Sequence, residues 1–323
     1  MRLNKVVMKT QLYDLIGDIH GHQDKLIALL NRLDYRKAEN TWKHLEGRKV
    51  IFLGDYIDRG PKIREVLHTV RGMVDSGDAL AIMGNHELNA VLYATPRVGG
   101  GHLREHEAKN VKQHAATLKA FEHHEAEWAE WLHWMKRLPM FLELGELRAV
   151  HAAWYDEHIE FLRNKSLLDH DFLHAVGTKN TREYEAVEFA LKGPELDLPV
   201  GIIYRDKENT ERYKIRARWW NIAEAETLGD LVMPQPMAEL TEPVGDLHRI
   251  NLANYPKEAP PVFVGHYWMP PNALKQPLAE NVAVVDFSAG IGTAPLYGYR
   301  WDGRPELKPE HFVTYDENNA LNP

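Results

Sequence analysis

Val50-Ile51-Phe52-Leu53-Gly54-Asp55-Tyr56-Ile57-Asp58-Arg59-Gly60 sets an apolar run against a glycine and follows it with metal-binding and phosphate-binding side chains. A short apolar run that stops at glycine suits a strand buried on both faces, as in a parallel sheet under helices. The same pattern stands on either side: Leu12 to Ile16 leads into Gly17-Asp18-Ile19-His20-Gly21, and Ala79 to Met83 into Gly84-Asn85-His86-Glu87. Leu26, Leu29, Leu30 and Leu33, then Val66, Leu67, Val70 and Val74, recur at helical spacing and predict helices over 24–33 and 64–75. The result is a βαβαβ unit with right-handed crossovers, and the expected fold class is α/β. In open α/β sheets functional groups gather at the carboxyl ends of strands, so the three polar clusters should converge on one edge.

The chain has 323 residues, enough to bury a sizeable core, and is expected to form a single domain over 1–323 with a helical insertion at about 102–137. No apolar stretch approaches membrane-spanning length and no signal-like segment opens the chain, which reads as cytoplasmic with no membrane partner. Cysteine is absent, so thiolate nucleophiles and Cys-based zinc sites are excluded, and any metal must be held by His, Asp, Glu or Asn. A formal net charge of −8 argues against general nucleic-acid binding, which relies on Lys and Arg.

Gly99-Gly100-Gly101 opens a polar helical stretch from about His102 to Arg137. His106, His114, His123, His124 and His133 on it are expected to be solvated, while Trp128, Trp131, Leu132, Met135 and Leu138 mark a buried face. A cap over the site is its expected role. Pro139 ends the helix, and Met140 to Leu144 and Leu147 to Val150 read as a hairpin around Gly145-Glu146 that delivers His151. A proline-rich stretch from Pro234 to Pro261 reads as an ordered surface loop, after which Val262 to Val264 ends in Gly265-His266. Asn281 to Phe287 and Pro295 to Trp301 are the last expected strands.

Asp18 and His20 point the same way from an extended segment. With Asp55, Asn85, His151 and His266 they could hold a pair of metal ions, since a carboxylate can bridge two cations. Mixed oxygen and imidazole donors suit Mn, Fe or Zn better than Ca or Mg, and two divalent ions, manganese foremost, are the expected cofactor. Phosphate-monoester hydrolysis needs such help, with accelerations of up to about 10²¹-fold. An ion pair can make a water nucleophilic at neutral pH without Ser or Cys. His86, beside Asn85, is the candidate general acid, and Asp58 the carboxylate that orients it. Arg59 and Asn85 are candidate phosphate ligands.

These three motifs, with lone His151 and His266 in order downstream, closely resemble the phosphoprotein phosphatase family of the calcineurin-like metallophosphoesterases over roughly residues 12 to 290. The resemblance implies two mixed β-sheets packed as a sandwich between helices. It also implies one metal on Asp18, His20 and Asp55, and a second on Asp55, Asn85, His151 and His266. Ala152-Ala153-Trp154 and Asp286-Phe287-Ser288-Ala289-Gly290 depart from the eukaryotic members, and the latter looks nearer to bacterial relatives that cleave diadenosine tetraphosphate. Tyr267-Trp268 lacks the Gly-His-x-His ending of many other metallophosphoesterases.

A second phosphate-clamping arginine is expected among Arg205, Arg216 and Arg218, with Arg218 favoured because it adjoins Trp219-Trp220. The expected activity is that of a phosphomonoesterase acting on phosphorylated proteins. The alternative is hydrolysis of dinucleoside polyphosphates, for which Trp154, Trp219, Trp220 and Arg216 would wall the pocket. A catalytically inactive phosphate-binding module is the third reading, and retention of every proposed ligand argues against it.

Overall fold

The computed structural model describes residues 11–205, 211–222, 224–245 and 254–315. The first half contains β1 (Tyr13–Ile16), α1 (Gln23–Arg32), β2 (Tyr35–Ala38), β3 (Thr41–His44), β4 (Lys49–Phe52), α2 (Ile63–Asp75), β5 (Ala79–Ala81), α3 (Asn85–Ala94), α4 (Ala108–Ala120) and α5 (Glu125–Lys136). There follow β6 (Phe141–Glu143), β7 (Arg148–Val150), α6 (Asp156–Leu162), α7 (His170–Val176), α8 (Arg182–Lys192), β8 (Glu195–Asp197), β9 (Tyr204–Arg205), β10 (Glu211–Arg212) and β11 (Lys214–Arg216). Last come α9 (Leu228–Leu231), β12 (Val262–Val264), β13 (Val282–Val284), β14 (Gly298–Arg300) and β15 (Phe312–Val313).

Two mixed sheets carry the architecture. One runs β15-β14-β1-β4-β5, with β1, β4 and β5 parallel and β14 antiparallel to β1. The other runs β13-β12-β7-β6, with only β6 antiparallel to its neighbour. The strand period of two explains how they stack. Leu15 and Ile51 join Ala149, Phe263, Ala283 and Tyr299 in a core shared by the two sheets. Ile16, Val50 and Phe52, one residue out of phase, pack into the core that holds Leu26 and Leu29 of α1 and Val66 and Val70 of α2. Both faces of β1 and β4 are thereby buried, as their apolar runs require, and the α/β sandwich is as expected.

The expected helix over 102–137 is two helices, interrupted at Phe121 to His124, where His123 takes φ 65°. Its apolar stripe is buried as read at Trp131, Met135 and Leu138. The β2–β3 hairpin and helices α6 to α8 were not anticipated, because Arg36, Lys37 and Lys43 interrupt the hairpin's apolar pattern and α6 and α7 are each only 7 residues long. Residues 246–253 of the proline-rich stretch lie outside the described residues. No helix among the described residues is long and apolar enough to cross a membrane.

The end of β1 remote from the polar clusters is fixed by Asp14, a fully buried carboxylate. Arg48 meets it from Nη2 at 2.8 Å and from Nε at 3.1 Å, Tyr35 donates its hydroxyl at 3.0 Å, and Arg300 Nε lies at 3.3 Å. Removing one member of a buried ion pair leaves its partner uncompensated, so Asp14→Ala is expected to cost about 3–5 kcal/mol. Urea titration would read this as a lower midpoint at an unchanged slope.

Candidate metal centre

The sandwich brings the six expected ligands to one edge. Asp18 and His20 follow β1, Asp55 follows β4, Asn85 opens α3 after β5, His151 follows β7 and His266 follows β12, and all six are buried. His20, Asp55 and His266 adopt φ of 47°, 53° and 67°, a left-handed backbone that costs a non-glycine residue about 1–3 kcal/mol and tends to occur at functional sites. Two glycines make room: a Cβ on Gly84 would lie 2.2 Å from Asp55 Oδ1, and one on Gly265 2.2 Å from Asp18 Oδ1. Neither position admits a side chain unless a ligand moves.

His151 Nε2 lies 3.4 Å from Asp55 Oδ1 and 3.1 Å from Asn85 Oδ1, and His266 Nδ1 lies 2.7 Å from the same Asn85 oxygen. His20 Nε2 is 3.7 Å from Asp55 Oδ2. Donor atoms of Asp18, Asp55 and His151 lie within 4.8 Å of one another, as do those of His20, Asp55 and His86. Backbone carbonyls orient the rings: His20 Nδ1 bonds Ile57 O at 2.9 Å and His151 Nδ1 bonds Leu53 O at 2.6 Å. A proton at Nδ1, inferred from those bonds, leaves each Nε2 facing inward, an acceptor on His20 and one on His151 once its second proton is lost. His20 Nε2 is buried without a hydrogen-bond partner, and Asn85 Oδ1 faces two imidazole nitrogens. Acceptors gathered in this way fit divalent cations, and the oxygen and imidazole donors leave the ion's identity open.

Electrostatics agree with that fit. Burial raises the Asp18 carboxyl well above its usual range, with Asp286 adding to the rise. Burial acts the same way on Asp55, but the neighbouring His151 and His86 outweigh it and hold that carboxyl well below the usual range. Burial drives His20 down to about 3, whereas His151 rises to about 10 because Asp55 outweighs its burial. A proton on His151 therefore supplies positive charge when no cation does. Metal loading at pH 7 is expected to expel protons, from His151 and from the raised Asp18 carboxyl. Calorimetric titration in buffers of different ionisation enthalpy would detect it; heats independent of buffer would contradict it.

His86 and Asp58 lie together. His86 Nδ1 lies 2.6 Å from Asp58 Oδ2, and its backbone N–H donates to Asp55 Oδ1 at 2.9 Å. Burial opposes the His86 proton, but Asp55 and Asp58 overcome it and raise the imidazole above its usual value. Asp58 is likewise lifted by burial and lowered more strongly, by hydrogen bonds from His114 and His86, to below the carboxylate range.

His114 corrects the expectation of a solvated ring. It is buried, and its Nδ1 lies 2.8 Å from Asp58 Oδ1, beside Thr117, whose hydroxyl donates to the same oxygen at 2.5 Å. Their spacing of three on α4 was the available signal, but a buried polar face leaves no trace in apolar periodicity. Glu87, given no role beforehand, accepts the N–H groups of Gly84, Asp55 and Tyr56 at 3.0, 2.8 and 2.8 Å and so ties the second motif to the third. Asp286 does the same for the later loops, accepting from Trp268 N at 2.6 Å and Ser288 N at 2.8 Å. Tyr56 is wholly buried and donates to Ile82 O at 2.6 Å, a packing role.

The arginines divide. Arg59 stacks its guanidinium 3.9 Å above the half-buried Trp268 ring. Arg216 lies beside the cluster, with Nη1 3.5 Å from His266 O and a charge that adds to burial in lowering His266. Arg218 has its buried Nε without a hydrogen-bond partner, and its charge bears on Asp230. The Arg205 side chain lies outside the described residues. Trp154, Trp219 and Trp220 do not form the expected pocket wall, because all three are core residues; Trp219 Nε1 is spent on Ala152 O at 3.1 Å.

A buried His, Asp and Asn cluster at the carboxyl ends of the strands of a sandwich is a set of donors that could hold divalent cations. A family model described as calcineurin-like phosphoesterase matches residues 13–234, and the chain belongs to that family. Over 74 residues the chain is 43% identical to bis(5'-nucleosyl)-tetraphosphatase PrpE (asymmetrical) of Bacillus velezensis, a match covering 23% of this chain and 30% of the relative. Over 76 residues it is 38% identical to the symmetrical bis(5'-nucleosyl)-tetraphosphatase of Cronobacter sakazakii, covering 23% of each. The chain thus spans less than a third of the length of these relatives. Similar solved structures include a serine/threonine phosphatase from Saccharomyces cerevisiae (10% identity, TM-score 0.48, 96% of this chain and 81% of that one). A cold-active protein-tyrosine phosphatase of a Shewanella species is another (16%, TM-score 0.46, 93% and 81%).

Proposed function

We propose that the protein hydrolyses phosphomonoesters, with phosphorylated proteins as the substrate class, at a two-metal centre. Asp18, His20 and Asp55 would hold one ion, and Asp55, Asn85, His151 and His266 the other. When bound, such a pair makes water nucleophilic near neutral pH and offsets phosphoryl charge. The chain's own groups do the rest. Arg59, Asn85 and Arg216 bind the phosphoryl oxygens. The water oxygen forms the new P–O bond as the bond to the leaving oxygen breaks, and the proton on His86 Nε2 passes to that leaving oxygen. Asp58 stabilises the charged imidazole.

The observation that carries this reading is the 2.6 Å contact between His86 and Asp58. An acid held protonated in this way helps most when the leaving group is a poorly acidic alcohol such as a serine side chain. The relatives named as dinucleoside tetraphosphatases favour a second reading, in which a dinucleoside polyphosphate is the substrate.

Purified protein supplied with Mn²⁺ should be compared on a phosphoserine peptide, p-nitrophenyl phosphate and diadenosine tetraphosphate. A higher kcat/KM on the peptide supports the first reading, and a strong preference for the dinucleotide replaces it with the second. Activity that survives chelation of metal would overturn both.

A further inference from the structure

We infer that His114, carried by the insertion, is a positioning residue for the reaction: with Thr117 it holds Asp58 Oδ1, so that Oδ2 is committed to His86 Nδ1. The inference rests on the reading of His86 as the acid that protonates the leaving oxygen.

The geometry of Asp58 is the basis. A carboxylate with one oxygen on a histidine can still swing about its own side-chain torsions, and each swing misdirects the imidazole. Here both oxygens are engaged by groups that are themselves buried. Oδ2 takes His86 at 2.6 Å, while Oδ1 takes His114 at 2.8 Å and Thr117 at 2.5 Å. The Thr117 hydroxyl also accepts the Asp58 N–H at 3.0 Å, so it fixes main chain and side chain together. Asp58 itself sits at φ 67°, a backbone held against its preference. On α4 the spacing of three puts both donors on one face.

A purely structural cap would not need a hydrogen-bond donor at position 114, since the ring already packs against Tyr93 and Trp128. If His114 acts through Asp58, its loss should matter in proportion to how much protonation the leaving group needs. Outer partners that orient reactive histidines are typically worth about 10–100-fold. His114→Ala is expected to lower kcat on the phosphoserine peptide by about tenfold, the low end of that range, and by less than about threefold on p-nitrophenyl phosphate, which departs without help. His114→Asn, whose amide nitrogen can take the place of Nδ1, should recover most of the loss, and Thr117→Val should reproduce part of it.

A second readout does not depend on turnover. The hydrogen-bonded proton between His86 and Asp58 should give a sharp low-field NMR signal in the wild type that is broadened in His114→Ala and restored in His114→Asn. Equal losses on both substrates, or an unchanged low-field signal in His114→Ala, would overturn the inference. The His86→Ala variant separates the two levels of the argument. If its loss is the same for both substrates, the acid reading fails. If it discriminates between them and His114→Ala does not, only the positioning role fails.

Discussion

Replacing His86 with alanine is expected to lower kcat on a phosphoserine peptide by about 10²–10⁴-fold, the usual contribution of a positioned acid. kcat/KM should fall by the same factor, because the lost interaction forms only as the leaving oxygen gains charge. Metal content should not change. That last point decides between two roles, since His86 also lies within ligand distance of His20 and Asp55. Its Nδ1 is already spent on Asp58 at 2.6 Å, while Nε2 stands 3.8 Å from Asp55 Oδ2. Asp55 and Asp58 together favour the charged imidazole, and a protonated nitrogen cannot ligate a cation. The substitution keeps the backbone N–H that steadies Asp55 Oδ1, so the Asp55 carboxylate should stay in place. Elemental analysis showing fewer ions per chain in His86→Ala would make His86 a ligand and remove the acid.

Most of the candidate ligands were legible because an apolar run and a glycine announce the turn before Asp18, Asp55, Asn85 and His266, whereas His151 follows Val150 directly. Leu15 and Ile16 show why: one packs between the sheets and the other toward the helices, so neither can be polar. His114 was not legible for the converse reason. Its burial is secured by a hydrogen bond to a residue 56 positions away, and such pairing is invisible until the fold brings α4 over the second motif. Glu87 belongs to the same class, since its acceptors serve backbone groups of a loop 30 to 32 positions earlier. The arginines were legible only as a group. Alternation placed Arg216 and Arg218 on one side of an extended segment, but only the packing of that segment against the His266 loop separates them. The tryptophans misled because a large aromatic suits a pocket wall and a core equally, and in this fold the core took them.

Asp55→Asn should be the most damaging single change at the centre. Among the described residues Asp55 is the carboxylate shared by both groups of donors, with Oδ2 toward His20 and His86 and Oδ1 toward His151. Asparagine keeps the shape but removes the negative charge that lets one group serve two cations, so both ions should bind more weakly. Activity is expected to fall further than in His86→Ala, to the background of the assay, with ion content dropping below two per chain. The metal-free protein should suffer as well. Breaking a buried pair typically costs about 3–5 kcal/mol, since the remaining charge is left without compensation. The pH dependence follows from the two shifts. The depressed Asp55 stabilises the folded chain above its unfolded value near about 4, and that contribution is lost as pH falls. The elevated His151 stabilises it fully below about 6.5, and this fades as pH rises toward about 10. The deficit of metal-free Asp55→Asn relative to wild type should therefore be widest between about pH 4 and 6.5 and shrink on either side. Thermal unfolding of both proteins in chelator across that range would measure it. A deficit that stays flat with pH would mean that the loss does not come from the Asp55 charge.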